Sequence, residues 1–463
     1  MSDTSSPRDT AVVIGGGMTG ILTASVLSLF ADVTIIERDE LPTEPEPRKG
    51  LPQARHAHLL WAGGVAALER LLPGIGDHLV DQGAWRAGIM TDLVSKAPSG
   101  PWFRRFTTPT VNLVCSRDLL DATVRKAVLR DERITVRGRA EVSGLVGTAS
   151  QITGVRIHTD GSDETIPAKI VVDASGRSSR ATVWLKDLGI PTIPERTVDA
   201  GVVYASRMFK APGSTADKFP IVNVQADPSQ APGQGGIILP IEDGRWLVTL
   251  SGTRGGEPTS DPEAFVSFAK GLRHPIIGDL IEQAEPLTDP VMSRSTANIR
   301  RYFEKAAKWP EGFVVVGDAV AAYNPVYGHG LSAAAQCAVA INDALLDYGL
   351  HHRGLSRRLQ KAVAQPVGNA WNLAVGQDVL YPGATEEGPT ATDRFGAALV
   401  DRAVDAGARS PHAQRYLLEV MSMQRPPTRL FSPGMLFQMA MGRKRPHLDE
   451  PPLAATEREA LRG

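Results

Sequence analysis

Short apolar runs and longer helical patterns alternate along the first part of the chain. Ala11–Ile14 and Val33–Ile36 are four-residue runs rich in β-branched residues, which is typical of buried strands. The apolar stretch between them reaches about Phe30 and is long enough for a helix. The pattern predicts a βαβ unit whose two strands lie parallel in one sheet.

A G-x-G-x-x-G sequence lies at the turn between the first strand and its helix. Gly15 suits a tight turn, Gly17 lets backbone N–H groups approach a pyrophosphate, and Gly20 lets helix and strand pack closely. Glu37 ends the second strand, where its carboxylate can accept hydrogen bonds from ribose hydroxyls. The unit therefore predicts a bound dinucleotide, with FAD and NAD both possible at this point.

Two later strands also end in turn chemistry. One runs from Lys169 to Asp173 and meets a Ser/Gly turn, and the other precedes Gly317 and Asp318. Because ligands bind beyond the carboxyl ends of parallel strands, we expect both turns to surround the same cofactor. Asp318 can accept hydrogen bonds from sugar hydroxyls. The loop that follows it, from Pro325 to Gly330, opens a long helix whose N-terminus can stabilise negative charge on a flat ring.

The remaining pattern predicts further domains. The segments 134–136, 141–146, 152–158 and 164–167 alternate as in a small antiparallel meander, residues 186–294 are β-rich, and helices are expected at 355–380, 394–424 and 430–442. We divide the chain into a discontinuous dinucleotide-binding domain (1–80, 110–185 and 295–350), a β-rich substrate domain (81–109 and 186–294), a C-terminal helical region (351–445) and a mobile tail (446–463).

Composition narrows the possible partners. Lysine and arginine total 50 against 51 acidic residues, so nothing predicts a polyanionic partner such as nucleic acid. The two cysteines, Cys115 and Cys337, stand in apolar segments and are expected to be buried, reduced thiols. No metal site, membrane span or secretory signal is predicted, and we expect a cytoplasmic protein. The oligomeric state is not determined by the sequence.

A basic cluster follows the second strand of the βαβ unit. Arg48, Lys49, Arg55, His56 and His58 lie within eleven residues of a chain that is nearly neutral overall. They either face an anionic cofactor or form a solvated basic loop. A separate arginine, Arg117, stands at a strand-to-helix junction, from which it can reach a phosphate or ribityl group or pair with a neighbouring aspartate.

Three motifs in this order resemble the fingerprints of single-component FAD-dependent monooxygenases of the aromatic hydroxylase type. They are Gly15 to Gly20 with Glu37, Asp173 to Arg180, and Gly317-Asp318 with Pro325, Gly328 and Gly330. The middle motif reads Asp173-Ala174 with the glycine at position 176, a spacing that also occurs in flavin reductases and halogenases. Three longer stretches resemble the flavin epoxidases of polyether ionophore biosynthesis, of the monensin and lasalocid type: RKGLPQARHAHLLW, PIEDGRWLVTLSGTRGGEP and WPEGFVVVGDAVAAYNPVYGHG.

The resemblance implies an α/β fold with a Rossmann-like FAD-binding domain of the glutathione reductase type, an inserted antiparallel-sheet substrate domain and a C-terminal helical region. It implies FAD as cofactor, O2 as co-substrate, and either NAD(P)H or an external flavin reductase as electron donor. The expected activity is epoxidation of carbon–carbon double bonds in a large apolar polyketide, possibly bound to a carrier, through a C4a-hydroperoxyflavin. Aromatic hydroxylation is the alternative, and a flavin reductase or halogenase is less favoured.

The resemblance also assigns residues to the site. The expected cofactor-binding residues are Gly15, Gly17, Met18, Thr19, Gly20, Glu37, Arg38, Lys49, Arg117, Asp173, Gly317, Asp318, Gly328, Gly330 and Leu331. Pro325, Gly328 and Gly330 are expected at the reaction centre.

Overall fold

The computed structural model describes residues 8–159, 161–213, 219–442 and 445–459, in which strands and helices alternate. In chain order, the strands β1 to β19 are Asp9–Ile14, Ala31–Ile36, Trp85–Gly88, Leu93–Lys96, Val111–Val114, Ile134–Arg137, Glu141–Gly147, Ile152–Thr159, Ser162–Pro167, Ile170–Asp173, Glu195–Val198, Val203–Lys210, Ile221–Val224, Gln234–Ile241, Arg245–Gly252, Val291–Ser293, Asn298–Arg301, Phe313–Val315 and Ala321–Ala322. The helices α1 to α13 are Met18–Leu27, Ala62–Leu71, Ile75–Asp81, Arg117–Val128, Ala181–Asp187, Ala264–Lys270, Ile276–Ile281, Gly330–Tyr348, Leu355–Asp378, Ala391–Arg409, Pro411–Met421, Pro433–Met441 and Ala455–Glu459.

A five-stranded parallel sheet forms the centre of the first domain, in the order β18-β10-β1-β2-β6. The middle strand, β1, pairs with β10 on one side and β2 on the other, and its residues from Ala11 to Ile14 are buried. The parallel pairing of β1 with β2 on either side of α1 confirms the predicted βαβ unit. The pairing of β1 with β10 places the Asp173 turn in the same sheet, in agreement with the predicted α/β fold.

The predicted four-segment meander is wrong at its first member. Residues 134–137 form β6, which pairs parallel with β2 at the edge of the first sheet. Only β7, β8 and β9 form the antiparallel meander. Alternation of apolar and polar residues predicts a half-exposed strand, and an edge strand of a parallel sheet satisfies that pattern as well as a hairpin strand does.

A six-stranded mixed sheet forms the second domain, in the order β16-β12-β15-β14-β13-β4. The strands pair antiparallel except for β4, which runs parallel to β13. One face buries residues such as Val94, Val222 and Trp246 against the short helices α6 and α7. The other face is turned towards the first domain. These strands lie within the ranges predicted for the substrate domain.

Two boundaries differ from the predicted division. Helix α9 belongs to the first core, because Leu359, Val363 and Val367 are buried with the parallel sheet. Its Gln360 amide also bonds both the N–H and the C=O of Val315 on the edge strand β18, at 2.9 and 3.1 Å. Strand β11, predicted in the substrate domain, instead forms a small sheet with β17 and β19.

The predicted helix over 394–424 is two helices. Ser410 has extended backbone angles (φ −135°, ψ 122°), and Pro411 begins α11. A residue that precedes proline is disfavoured in helical geometry, and proline is favoured at a first helical position. Helices α10, α11 and α12 then bury their own apolar cluster, which includes Val404, Leu417 and Met435. Among the described residues, no helix has the length and hydropathy needed to cross a bilayer.

The described part of the tail packs on the second domain, which corrects the prediction of a mobile tail for residues 446–459. Leu448 bridges Trp102, Leu453 is buried in the core of the six-stranded sheet, and Glu457 accepts a 2.9 Å hydrogen bond from Arg105. Residues 460–463 lie outside the described part of the chain. The burial of Leu453 and the Arg105–Glu457 pair fix this segment to the domain despite its proline content.

Candidate cofactor and substrate site

The carboxyl ends of four parallel strands meet at one edge of the first sheet. The register aligns Ile14 with Ile36 and with Asp173, and aligns Asp173 with Val315. The glycine turn, the Ser/Gly turn and the Gly317 turn therefore lie side by side. Together they border a cavity of about 660 Å³. This volume is within the range of about 300–1,000 Å³ that is usual for ligand sites.

The glycine turn leaves room for a ligand at one position only. A Cβ on Gly15 would lie 2.7 Å from the carbonyl oxygen of Ala174, and one on Gly20 would lie 1.8 Å from that of Gly15. These two glycines are required because backbone segments approach each other there. A Cβ on Gly17 would meet no atom within 4 Å, and Gly17 lines the cavity. The open space at Gly17 faces a ligand rather than the protein.

Glu37 closes the end of the cavity beside this turn. One carboxylate oxygen accepts hydrogen bonds from Gly16 N (2.8 Å) and from the guanidinium of Arg48 (2.9 Å), and the other accepts from Asp39 N (3.1 Å). Arg48 also donates to the carbonyl of Gly16. Glu37 and Arg48 are both buried, so the pair fixes the glycine turn against the end of β2.

Asp318 lies on the wall of the same cavity. No donor among the described residues contacts its carboxylate, and burial raises its pKa against the opposing effect of Arg177 and Arg117. Arg177 is held by the carbonyls of Ala297 and Tyr323 at 2.6 and 3.0 Å. A carboxylate that faces a cavity without protein donors can accept hydrogen bonds from a ligand, and sugar hydroxyls are suitable donors.

Most of the predicted residues lie on the cavity wall. They are Gly15, Gly17, Met18, Thr19, Glu37, Arg38, Arg117, Asp318, Pro325, Gly328, Gly330 and Leu331. Arg117 lines the cavity and also pairs with Asp121 at 2.7 Å, so the two alternatives for this residue do not exclude each other.

Four predicted cofactor contacts are not on the wall. The Asp173 carboxylate is fully buried and accepts hydrogen bonds from the hydroxyls of Ser175 (2.5 Å) and Ser179 (2.6 Å), so it shapes the turn instead of touching the cavity. Gly317 has φ +60° and packs against Thr19, and Gly20 packs against Gly15. Lys49 is exposed, and its neighbour Arg48 takes the position on the wall.

The basic cluster is split by the fold. Arg48 and His58 line the cavity, while Lys49 and Arg55 are exposed. His56 is buried and its Nδ1 lies 2.8 Å from the Ser206 hydroxyl. Burial, followed by the nearby charge of Arg117, lowers the pKa of His58 to about 3, so this imidazole is neutral near pH 7. Because its Nδ1 donates to the carbonyl of His56 (2.8 Å), Nε2 carries the lone pair.

The loop before α8 is fixed by a buried carboxylate. Asp378 of α9 accepts hydrogen bonds from the Tyr327 hydroxyl (2.7 Å) and from the side-chain amides of Asn324 (2.8 Å) and Asn298 (2.7 Å). Gly328 then turns the chain with φ +66°, and Gly330 begins α8. Asp378 stands 50 residues beyond the loop in sequence, so no local signal could have predicted this contact.

A second cavity, of about 210 Å³, lies between the loop and the six-stranded sheet. Its floor is the sheet face opposite α6 and α7, and its walls include Trp61 and the helices α10 and α11. Five residues border both cavities, namely His58, Tyr204, Asn324, Pro325 and Gly328. The two cavities therefore meet at the loop from Asn324 to Gly328.

Comparison with known proteins agrees with this geometry. The model of a family described as "FAD binding domain" matches residues 8–359.

The chain belongs to this FAD-binding family.

The relatives of this FAD-binding protein extend the likeness to the whole chain. Protein Rv3254 of Mycobacterium tuberculosis is 30% identical over 434 residues, which cover 90% of each chain. The flavin-dependent brominase Bmp2 has a TM-score of 0.66 at 14% identity, over 94% of this chain and 98% of that one. The p-nitrophenol 4-monooxygenase PnpA of Pseudomonas putida has a TM-score of 0.61 at 16% identity, over 90% of this chain and 100% of that one. The fold is thus shared with flavin-dependent monooxygenases and halogenases.

The residues present fit FAD. The open space at Gly17 is suited to a pyrophosphate, and Glu37 lies directly after β2. The Asp318 carboxylate lines the cavity, where it can accept hydrogen bonds from ligand hydroxyls. FAD would span both ends of this cavity, with its adenosine near Glu37 and its ribityl chain near Asp318. When bound, the flavin supplies the redox chemistry, and the protein supplies binding and orientation.

We expect Asp318→Ala and Glu37→Ala to weaken FAD binding for different reasons. Asp318 has no hydrogen-bond donor among the described residues, so its removal should lower FAD affinity about 10- to 100-fold while the thermal midpoint of the apoprotein stays unchanged. Glu37 holds Gly16 and Arg48, so its removal should lower both affinity and midpoint. Fluorescence titration of FAD and thermal melts of the apoproteins measure the two effects. An Asp318→Ala variant with wild-type affinity would remove the ribityl assignment.

Proposed function

We propose that this protein is an FAD-dependent monooxygenase that epoxidises carbon–carbon double bonds of an apolar, polyketide-like substrate. The observation that supports it best is the meeting of two cavities at one loop. The larger cavity fits FAD, and the smaller one has a largely apolar wall that includes Leu59, Trp61 and Leu239. A substrate in the smaller cavity adjoins the loop from Asn324 to Gly328.

The residues around the two cavities are suited to orient the bound molecules and to exclude water. Helix α8 begins at Gly330 with no side-chain cap, so its first N–H groups have no intrahelical acceptor, and Gly330 and Leu331 line the larger cavity. Trp61 donates to the carbonyl of Tyr327 at 3.3 Å and covers the loop from the other side. Bound reduced FAD supplies the electrons that activate O2, and a water-free surround favours transfer of oxygen to the substrate.

Epoxidation is favoured over aromatic hydroxylation because the described residues of the smaller cavity include no suitable base. An alkene needs no proton removed before it attacks an electrophilic oxygen, whereas hydroxylation of a phenol is assisted by a base that takes the phenolic proton. His56 and His58 both have a pKa of about 3, lowered mainly by burial, which makes them weak bases. The Asp378 carboxylate already accepts three hydrogen bonds.

Halogenation is the less favoured alternative. The fold is similar to that of a brominase, but within the described residues no lysine lines either cavity. The sequence also lacks a Trp-x-Trp-x-Ile-Pro stretch. NAD(P)H or an external flavin reductase is proposed as the source of electrons, and O2 as the source of oxygen.

The test is the product formed by the FAD-loaded protein. Chemically reduced enzyme, O2 and a panel of linear polyenes should give epoxides, and the same enzyme with phenols or with bromide should give no hydroxylated or brominated product. Hydroxylated phenols without any epoxide would replace the proposal by the aromatic hydroxylase alternative.

A further inference from the structure

We infer that the substrate is uncharged and carries a neutral oxygen function, a hydroxyl or carbonyl group, which hydrogen-bonds to Asn223 in the smaller cavity, where Tyr381 offers a second, separate polar contact. The inference rests on the proposed function for the identity of this cavity as the substrate site. It names the class of substrate more narrowly, as an apolar chain with a polar but non-ionic group.

The wall of the cavity carries no cation that could receive an anionic substrate. None of the described residues on it is lysine or arginine. Its two histidines are neutral near pH 7, because burial lowers the pKa of both to about 3. Its carboxylate, Asp378, is occupied by three donors of the protein. A carboxylate or phosphate would lose its hydration here without compensation.

The floor of the cavity is crossed by a row of side chains on adjacent strands. The pairing aligns Ser95, Asn223, Ile237, Thr249 and Ser206, one residue from each of β4, β13, β14, β15 and β12. Paired residues of neighbouring strands project from the same face of a sheet, which is the face that lines the cavity.

Most polar members of this row already have protein partners. The hydroxyls of Ser206 and Thr249 lie 2.6 Å apart, and Ser206 also contacts His56 at 2.8 Å. Ser95 accepts a hydrogen bond from Gln225 at 3.1 Å. For the side-chain amide of Asn223, none of the described residues provides a partner. This amide is the member of the row that is open to a ligand.

Tyr381 is the second such group. It stands three residues beyond Asp378, its side chain is 5% exposed, and its hydroxyl lies against the backbone of Gly233, where a Cβ would be 2.3 Å away. No hydrogen-bond partner for this hydroxyl is found among the described residues. Asn223 and Tyr381 both offer a donor, and Asn223 also offers an acceptor, a combination that suits hydroxyl and carbonyl groups.

The test compares three probes that share one carbon skeleton: farnesol, farnesene and ionised farnesoate. Binding to the FAD-loaded, oxidised enzyme is measured by equilibrium dialysis at pH 8, so no turnover is needed. We expect farnesol to bind about tenfold more tightly than farnesene, and farnesoate to bind more weakly than either.

Asn223→Leu should remove the preference for farnesol while farnesene binds as in the wild type. Asn342→Leu on α8 is the matched control, since Asn342 lines neither cavity, and it should keep the preference. The inference is overturned if the three probes bind equally, if farnesoate binds most tightly, if none binds, or if Asn223→Leu keeps the preference. Intact preferences without any oxygenated product would count against the proposed function alone.

Discussion

Replacing Gly17 with valine is expected to abolish FAD binding while leaving the apoprotein folded. An ideal Cβ at this position meets no protein atom within 4 Å and points into the cavity, and the backbone (φ −76°, ψ 178°) accepts any residue. The valine side chain would occupy the space that the pyrophosphate requires. The steric conflict between valine and the pyrophosphate should lower FAD affinity about 100-fold or more. Wild-type protein should purify yellow and release FAD, and Gly17→Val should purify colourless.

The control for this variant is Gly396→Val. Gly396, in α10, also has no atom within 4 Å of an ideal Cβ, but it lies on neither cavity wall. It should retain full FAD content. Circular dichroism of both apoproteins establishes that each is folded. Stoichiometric FAD in folded Gly17→Val would contradict the assignment of the glycine turn to the pyrophosphate.

Replacing Gly330 with valine should uncouple oxygen consumption from product formation. The added Cβ would stand 3.9 Å from an Asp318 carboxylate oxygen, at the start of α8 and on the cavity wall. A branched side chain there displaces the flavin or admits water, so hydrogen peroxide should be released in place of oxygenated product. We expect the ratio of peroxide to product to rise about tenfold or more, as measured on fully flavinated protein.

A purely structural role for Gly330 gives a different result. If this glycine only begins the helix, its replacement should lower FAD content and thermal stability together and leave the peroxide ratio unchanged. Gly330→Ala is the matched control, because its single methyl group fills less of the cavity. An unchanged ratio in flavinated Gly330→Val would place the reactive face away from α8.

The edge of the parallel sheet could be predicted from the sequence because its signals are local. Each of the runs that end at Ile14, Ile36 and Asp173 is followed directly by turn residues, and strands of one parallel sheet share an edge. The requirement for glycine at positions 15 and 20 follows from the same local geometry. These residues pack against elements that are near them in the chain or that the parallel register brings to them.

The contacts that sequence reasoning missed are set by long-range packing. Asp378 holds the loop at Asn324 and Tyr327 only because α9 covers the edge of the first sheet. Arg48 and Lys49 are adjacent cations in sequence, and only the fold turns Arg48 towards Glu37. The family resemblance implies that Asp173 binds the cofactor, yet two serines of its own turn occupy its carboxylate.

The structure shows that the C-terminal helices form part of the smaller cavity, which the sequence did not predict. Val404 of α10 and Leu417 and Met421 of α11 line the smaller cavity. His329, stacked between Trp61 and Tyr327, lies with Nε2 3.0 Å from the carbonyl of Met421, which ties α11 to the loop before α8. These helices carry no chemical motif, so their apolar periodicity predicts helices but gives no position for them.

Isotope labelling of the product shows whether this protein is a monooxygenase. The FAD-loaded, reduced enzyme is supplied with ¹⁸O2 in ordinary water and a polyene that it converts, and the product is analysed by mass spectrometry. We expect one ¹⁸O atom for each oxidised double bond, and no label when ¹⁶O2 is used in H2¹⁸O. Oxygen that comes from water, or a product oxidised without any oxygen insertion, would contradict the assignment as a monooxygenase.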